Sequence, residues 1–389
     1  MRKVPKMVQE ATHKDVTAGS SRLESLNGMR FIAGLLVFLT HALAGSALFA
    51  SNFQMEHLGL IIQGGWAALV YFFVLSGFVM TWARRPTDTA PTFWRRRALR
   101  VFPNYLVTLA AYIGVLGLVL HIPIHGKTVL LHGLALQSFI PDLETRIAFN
   151  PPTWSLSAEL FFYLCFPLLI RLVDRIRPER LWAWAGGVVA AAFAAPLLAP
   201  KLLPASKPVE GLGWPELEMW VIQQFPPIRM LEFILGMILA KIVISGRRIP
   251  LNFGAAVGLF VAVYAVSPLI PERLNMAAIH LVPIGLLILT AAARDSRGRS
   301  GWLGSRPMVK LGELAFAFYI WHYMIVIHAR QLLGTPEGWS APVGFAVLVL
   351  LFVATLGAAW LQYTLIENPM FRRFASSRRR RTLGAAPIR

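Results

Sequence analysis

The sequence predicts an all-α, polytopic membrane protein with about ten transmembrane helices. Hydrophobic residues make up 56% of the 389 residues, and the mean hydropathy is +0.58, which excludes an ordinary soluble chain. Apolar runs of about twenty residues, long enough to cross a bilayer, recur along the sequence. Basic residues cluster between these runs, an arrangement typical of membrane topology.

Ten apolar runs are predicted to cross the membrane, and one shorter run is not. The predicted spans are 29–48, 58–82, 105–120, 154–172, 181–198, 228–244, 251–270, 276–293, 311–332 and 342–366. The run at 129–140 has only about a dozen residues, which is too short to cross comfortably. The region 122–153 is therefore predicted to be a short re-entrant or external helical segment.

The distribution of the 38 Lys and Arg residues predicts the orientation of the chain. Ten spans place most of these residues in segments on one side of the membrane, and such an excess marks the cytoplasmic side. Both termini are therefore predicted to be cytoplasmic, and the net charge of +19 does not indicate a nucleic-acid partner. The predicted organisation is a disordered tail over 1–25, a single membrane domain over 26–370 and a basic tail over 371–389.

The first predicted span carries two ionisable residues on one face. Arg30 and His41 are eleven residues apart, so on a helix their side chains point within about 20° of each other. His41 lies about 16 Å deeper than Arg30, near the middle of the membrane. An ionisable group at that depth costs several kcal/mol unless it is paired or functional. A histidine that merely hydrogen-bonds a neighbouring helix is the structural alternative.

A basic cluster precedes the third predicted span. Arg96 and Arg100 are four residues apart, and Arg97 and Arg100 are three apart, so on a helix they converge on one flank. Such a cluster serves equally well as a positive-inside anchor and as a grip for the phosphates of a nucleotide cofactor. The residues alone leave both interpretations open.

Other polar residues fall within apolar runs. Glu159 has Ser155 and Tyr163 one turn to either side, and an embedded carboxylate requires a cationic or hydrogen-bonding partner. Arg229 and Glu232 are spaced as a structural ion pair. No histidine spacing matches a compact metal motif, so we predict no metal.

Six segments, in order, resemble the membrane acyltransferase-3 family. They are L-N-G-M-R-F-I-A-G-L-L-V-F-L-T-H, F-F-V-L-S-G-F, R-R-R-A-L-R-V-F-P, W-S-L-S-A-E, R-M-L-E-F-I-L-G and Y-I-W-H. The resemblance covers about residues 24–373 and implies transfer of acetyl or other short acyl groups onto hydroxyls of sugars, lipids, glycans or macrolides. The chain departs from the family at Asn27, which stands where Asp is usual and cannot supply that charge.

The resemblance implies an acyl-CoA-dependent O-acyltransferase in the bacterial inner membrane, with acetyl-CoA as the expected donor. The expected catalytic residues are His41, Arg30 and Glu159. The expected cofactor-binding residues are Arg96, Arg97, Arg100 and Arg30. The expected substrate-binding residues are Gln63, Trp154, Ser157, Tyr163 and His322.

The expected acceptor is a hydroxyl of a sugar or macrolide-type secondary metabolite. An actinobacterial-like composition and the lack of an esterase-type domain after the last span favour this acceptor over a cell-envelope polysaccharide or lipid, which comes second. A transporter or flippase is the rival class, and it predicts repeat-related halves with broken helices, of which the sequence shows no sign. The bilayer and the acceptor are the expected partners, and a homo-oligomer is left open.

Overall fold

A computed structural model describes residues 23–44, 48–49, 53–85, 88–209, 213–333 and 338–375 of the chain. Most of the two predicted tails, 1–25 and 371–389, lies outside these residues. The α-helices are α1 Glu24–Ala44, α2 Phe53–Ile62, α3 Gly64–Trp82, α4 Ala90–Gly114, α5 Gly126–Gly133, α6 Leu143–Ile147, α7 Trp154–Asp174, α8 Leu181–Leu202, α9 Glu216–Met219, α10 Pro226–Ile244, α11 Phe253–Val266, α12 Glu272–Ala277, α13 Leu281–Asp295, α14 Arg306–Leu333, α15 Ala341–Gln362 and α16 Asn368–Ala375. Within the described ranges there is no β-strand, and π-helical turns extend α4, α9 and α15.

The all-α, polytopic membrane architecture predicted from the sequence is confirmed. Each of the ten predicted spans overlaps a helix, and eight of the described helical segments are long and apolar enough to cross a membrane. The other two predicted spans do not qualify in the same way. The α10 helix carries three charged residues, and Phe253–Leu269 is shorter than the eight segments. The count of ten and the cytoplasmic location of the termini remain predictions.

The basic stretch before the third predicted span is itself helical. The α4 helix begins at Ala90, well before the predicted start at 105, and continues through the arginine cluster into the span. The Thr89 hydroxyl accepts a hydrogen bond from the Thr92 N–H, and Pro91 occupies the first turn, both strong helix-start signals. The arginines are consequently fixed to the same rigid element as the apolar span.

The region 122–153 contains the short helices α5 and α6 and is anchored to the neighbouring spans. The Tyr105 hydroxyl of α4 donates to the His132 carbonyl at 2.6 Å, and the Ser157 hydroxyl of α7 donates to the Ala135 carbonyl at 2.6 Å. A short helical segment was predicted here. These contacts hold it against α4 and against the first turn of α7.

Glycines permit the closest helix contact in the bundle, between α3 and α10. A Cβ atom placed on Gly77 would lie 1.9 Å from the Phe233 carbonyl oxygen, and one on Gly236 would lie 1.9 Å from that of Val74. Only hydrogen fits at these positions, as is common where membrane helices approach closely. The α1 helix packs against both α3 and α14, so α1, α3, α10 and α14 surround the middle of the molecule.

Candidate active site

A cavity of about 280 Å³ lies between α1, α3, α4, α7 and α14. Along α3 its lining extends from Leu69 to Ala83, a stretch of about 21 Å along the helix axis. Its polar lining residues are Arg30, Ser76, Arg97, Arg100, Ser155, Glu159, Tyr163, Glu313 and Tyr319. The cavity is therefore elongated, with charged groups along part of its length and apolar walls beyond them.

Three of the four arginines expected to bind the cofactor line this cavity. Arg97 stands over the rings of Phe93 and Tyr163, with its guanidinium carbon 5.7 and 6.0 Å from the ring centroids. Within the described residues neither Arg97 nor Arg100 has a carboxylate within ion-pair distance. Their positive charges are thus available to an anion that enters the cavity.

Arg30 is held by the residue that departs from the family pattern. The Asn27 side-chain oxygen accepts a hydrogen bond from Arg30 Nη1 at 2.8 Å. A neutral amide therefore orients the guanidinium without neutralising its charge, so Arg30 adds a full positive charge to the cavity.

The fourth arginine, Arg96, has a different position. Its guanidinium donates to both carboxylate oxygens of Asp88, with Nη1 at 2.9 Å from Oδ1, and it does not line the cavity. This ion pair holds the pKa of the Asp88 carboxyl below its ordinary value, chiefly through the hydrogen bond from Arg96. Arg96 therefore does not lie with Arg30, Arg97 and Arg100, the other three residues expected to bind the cofactor.

Glu159 lies in the cavity wall and receives hydrogen bonds from two hydroxyl groups. Ser76 Oγ donates to Glu159 Oε1 at 2.8 Å, and the Tyr163 hydroxyl donates to the same oxygen at 2.5 Å. The sequence predicted that this embedded carboxylate needs partners, but it did not indicate Ser76, which belongs to another helix.

His41 forms a hydrogen bond with the second intramembrane histidine. His41 Nδ1 lies 3.0 Å from His322 Nε2, and the ring centroids are 5.0 Å apart. Thr40, next to His41, accepts a hydrogen bond from the Gly65 N–H at 2.8 Å. His41 therefore lies level with the first turn of α3, about 26 Å along the axis from the Trp82 end. Within the described residues no hydrogen bond joins His41 to Glu159.

The cavity ends at Tyr319, one helical turn before the histidine pair. The Tyr319 hydroxyl hydrogen-bonds Ser155 Oγ at 2.7 Å and donates to the Pro152 carbonyl at 2.9 Å. Its ring centroid is 5.5 Å from that of His322. The Tyr319 side chain thus stands between the end of the cavity and the two imidazoles.

Two residues expected to bind substrate are engaged in structural contacts outside the cavity. The Gln63 side-chain oxygen accepts hydrogen bonds from Ser267 Oγ at 3.1 Å and Asn275 Nδ2 at 2.8 Å. Ser157 is bonded to the carbonyl of Ala135. Neither residue lines the cavity.

Trp154 and the predicted Arg229–Glu232 pair lie behind the cavity wall. Arg229 Nη2 is 2.9 Å from Glu232 Oε1, and both side chains are buried. The Arg229 guanidinium carbon is 5.5 Å from the ring centroid of Phe73, which lines the cavity and packs edge-on against Trp154. These residues therefore support the wall from outside.

A polar chain that sequence reasoning missed joins α4 to the last helices. Asn104 Nδ2 donates to Glu367 Oε2 at 3.1 Å, Gln362 Nε2 donates to the Asn104 carbonyl at 3.2 Å, and Trp321 Nε1 donates to the Gln362 side-chain oxygen. Glu367 lies in a π-helical turn, a feature often found at functional sites. The signal for this polar chain in the sequence is Glu367, a carboxylate residue at the end of the last apolar run.

Comparison with known proteins identifies the family of the chain. Residues 23–364 match the acyltransferase domain that defines the acyltransferase-3 family. The chain belongs to this family. The resemblance inferred from the six segments is thereby confirmed, and acyl transfer is the chemistry of the family.

Individual relatives span a range of similarity. The chain is 36% identical over 375 residues to the acyltransferase MdmB of Streptomyces mycarofaciens, covering 94% of this chain and 95% of MdmB. It is 24% identical over 393 residues to the O-acetyltransferase OatA of Staphylococcus aureus, covering 91% of this chain and 59% of OatA. It is 22% identical over 385 residues to the putative peptidoglycan O-acetyltransferase YrhL of Bacillus subtilis, covering 90% and 55%. The chain spans little more than half of the last two.

Proposed function

We propose that the chain is an acyl-CoA-dependent O-acyltransferase of the bacterial inner membrane, with acetyl-CoA as donor and a hydroxyl group as acceptor. The observation that carries the proposal is the elongated cavity whose three arginines lack carboxylate partners within the described residues and whose far end lies next to two hydrogen-bonded histidines. A long donor with an anionic head and a neutral, flexible arm fits such a shape.

Arg30, Arg97 and Arg100 would bind the phosphates of the donor. Guanidinium groups bind phosphate oxygens through charge-assisted hydrogen bonds, which are strong where water is partly excluded. The arm carrying the thioester would then extend along the apolar part of the cavity toward Tyr319. The basic residues of α4 lie on the side that the charge distribution predicts to be cytoplasmic, where acyl-CoA is made.

His41 would act as the general base. The acceptor oxygen attacks the thioester carbonyl carbon while His41 Nε2 removes the hydroxyl proton, and the carbon–sulfur bond breaks as the ester forms. The proton then passes to the departing thiolate, which leaves as CoA. A positioned imidazole contributes roughly a hundred- to ten-thousandfold to such a step.

Tyr319 separates donor and base in the structure and would have to turn aside for transfer. Breaking its hydrogen bonds to Ser155 and to the Pro152 carbonyl would open the end of the cavity toward His322. Asn150 Nδ2 donates to the Ile320 carbonyl on the same helix, so the 122–153 region adjoins this end. We propose that the acceptor approaches from that side, opposite the arginines.

The acceptor that we favour is a sugar or macrolide-type hydroxyl of a secondary metabolite. The similarity to the acyltransferase MdmB extends over nearly the whole of both chains, which supports acyl transfer by this chain. The similarity to OatA and YrhL supports a cell-envelope glycan as the second candidate.

The test is CoA release by purified protein in detergent and in proteoliposomes, with acetyl-CoA and a panel of macrolides, monosaccharides and muropeptides. Acetylated product should form without an ion gradient, and mass spectrometry should identify the acceptor. His41→Ala should abolish product formation, whereas the matched control His328→Gln on α14 should not. Transport of the panel compounds without acyl transfer would instead establish the rival class.

A further inference from the structure

His322 is the most deeply buried polar neighbour of the proposed base. Only 1% of its surface is exposed, whereas the His41 ring is half-buried. Its two ring nitrogens are both engaged: Nδ1 contacts the Tyr319 carbonyl on its own helix, and Nε2 contacts His41 Nδ1 at 3.0 Å. A residue fixed in this way is poorly placed to bind a substrate directly, the role expected for it from the sequence.

The partners of the two rings determine where their protons lie. A backbone carbonyl only accepts hydrogen bonds, so the proton of neutral His322 resides on Nδ1, which donates to Tyr319. His322 Nε2 then carries a lone pair. His41 Nδ1 likewise faces the Val37 carbonyl at 3.1 Å, so this nitrogen holds the proton and donates to both Val37 and His322.

This arrangement leaves His41 Nε2 without a proton. Within the part of the chain that the structure describes, no residue hydrogen-bonds to that nitrogen. The basic atom of His41 is thus held free, and the ring is locked in the tautomer that acid–base chemistry requires.

We propose that His322 is the positioning residue for His41. It fixes the reactive tautomer and stabilises the imidazolium formed when Nε2 takes the acceptor proton. This inference rests on the proposed function, because it assigns His322 a part in the same acyl transfer. As Nε2 of His41 gains a proton, the Nδ1–H becomes a stronger donor and its hydrogen bond to the His322 lone pair strengthens. His41 keeps the acceptor's proton on Nε2 until it transfers that proton to the departing thiolate.

A neutral imidazole replaces the carboxylate that orients histidine in many hydrolases. A carboxylate in the membrane interior costs several kcal/mol, whereas a neutral ring avoids that cost and still supplies an acceptor. Within the described residues, Tyr319 and Tyr323 on α14 are the titratable groups in ring contact with the pair. Among the described residues of all helices, no hydrogen bond or ion pair joins either imidazole to a carboxylate or a cation, so each ring is the other's polar side-chain partner.

The test compares two substitutions of His322. In His322→Gln the side-chain oxygen can still accept the His41 Nδ1–H, whereas in His322→Leu no acceptor remains. With acetyl-CoA and the acceptor identified from the panel, His322→Leu should lower kcat about a hundredfold or more, and His322→Gln should stay within about tenfold. The KM for acetyl-CoA should be unchanged in both, because neither touches the donor cavity.

The pH profile separates positioning from mere packing. Loss of the acceptor makes His41 a weaker base, so the acidic limb of the kcat/KM profile should move to lower pH in His322→Leu but much less in His322→Gln. A structural role would reduce the melting temperature without moving this limb. Any residual rate that His41→Ala retains should not fall further when His322→Leu is added, because the two residues act as a unit.

The outcomes distinguish this inference from the proposed function. If His41→Ala is inactive while His322→Leu keeps the parental rate and profile, the role of His322 is wrong and the base assignment stands. If both variants keep the parental rate, the proposed mechanism itself is wrong. If His322→Gln loses as much activity as His322→Leu at unchanged acetyl-CoA binding, fixing the tautomer is insufficient and the positioning role is overturned.

Discussion

Arg96 is neutralised by Asp88, whereas Arg97, the next residue in the chain, faces the cavity and has no carboxylate partner among the residues that the structure describes. The two side chains leave α4 about 100° apart, so one reaches Asp88 in the connection before α4 and the other reaches the proposed donor site. Adjacent arginines in one basic motif therefore have different electrostatic surroundings, and substitution should reveal the difference.

Replacing Arg97 or Arg100 with Gln should raise the KM for acetyl-CoA about tenfold or more. Each change removes a charge-assisted contact to phosphate, which contributes about 1.5–3 kcal/mol. Arg96→Gln is the matched control and should leave this KM within about threefold, because its charge is already paired. Steady-state CoA release measures all three, and a similar rise in KM for Arg96→Gln would contradict the separation.

Ser76 and Glu159 should be coupled in stability. Ser76→Ala removes one of two hydrogen bonds to the carboxylate and should lower the free energy of unfolding by about 1–3 kcal/mol. In a Glu159→Gln background the same change should cost less, because a neutral amide needs fewer donors. The double-mutant cycle compares the melting temperatures, in detergent, of the parent protein, Ser76→Ala, Glu159→Gln and the double variant. Strict additivity would show that the two side chains do not interact.

The contact between α3 and α10 should tolerate no side chain at its glycines. Gly77→Ala should destabilise the protein by about 1–3 kcal/mol, since the new methyl group overlaps the Phe233 carbonyl and the helices must separate. Gly186→Ala on α8 is the control, because nothing lies within 4 Å of its Cβ position. Intrinsic fluorescence melts should show a fall for the first variant and an unchanged or slightly higher midpoint for the second.

The segment that contains His132 should lose stability in mild acid. Burial lowers the pKa of the His132 imidazole below 6.5, and in the described part of the chain its Nδ1 has no hydrogen-bond partner to stabilise an added proton. The unfolded chain therefore binds the proton more readily, so the free energy of unfolding falls as the pH drops from about 7.5 to 5. His132→Gln should flatten this dependence, whereas His125→Gln, at an exposed site on the same segment, should not. A parallel fall in melting temperature for all three proteins would assign the effect to other groups.

The local features of the site could be predicted from the sequence, whereas its long-range partners could not. Helical periodicity predicts a common face for Arg30 and His41, because residues eleven apart nearly eclipse each other, and both residues lie in α1. It could not show that His41 meets His322, 281 positions away, or that Glu159 meets Ser76, 83 positions away. Periodicity determines the direction of a side chain on its own helix, but helix packing determines what lies opposite.

The same limit explains the grouping of Arg96 with Arg97 and Arg100. Spacing placed all three on one flank of a helix, and only the position of Asp88, in the preceding connection, draws Arg96 away. The early start of α4 was visible in principle, because Thr89 and Pro91 are helix-start signals. The charges of the basic stretch instead favour a connection at the membrane surface.

The hydrogen bond between Tyr319 and Ser155 affects how much of the acyl donor is lost to hydrolysis. While it is intact, a thioester waiting in the cavity is screened from the only imidazole pair on α1 and α14, and hence from any water that such a base could activate. In the proposed reaction, the Tyr319 side chain therefore limits hydrolysis of the donor, and tight binding of the donor is not needed for this purpose. Removing the Tyr319 side chain should therefore speed acyl transfer and also increase the wasteful hydrolysis of acetyl-CoA.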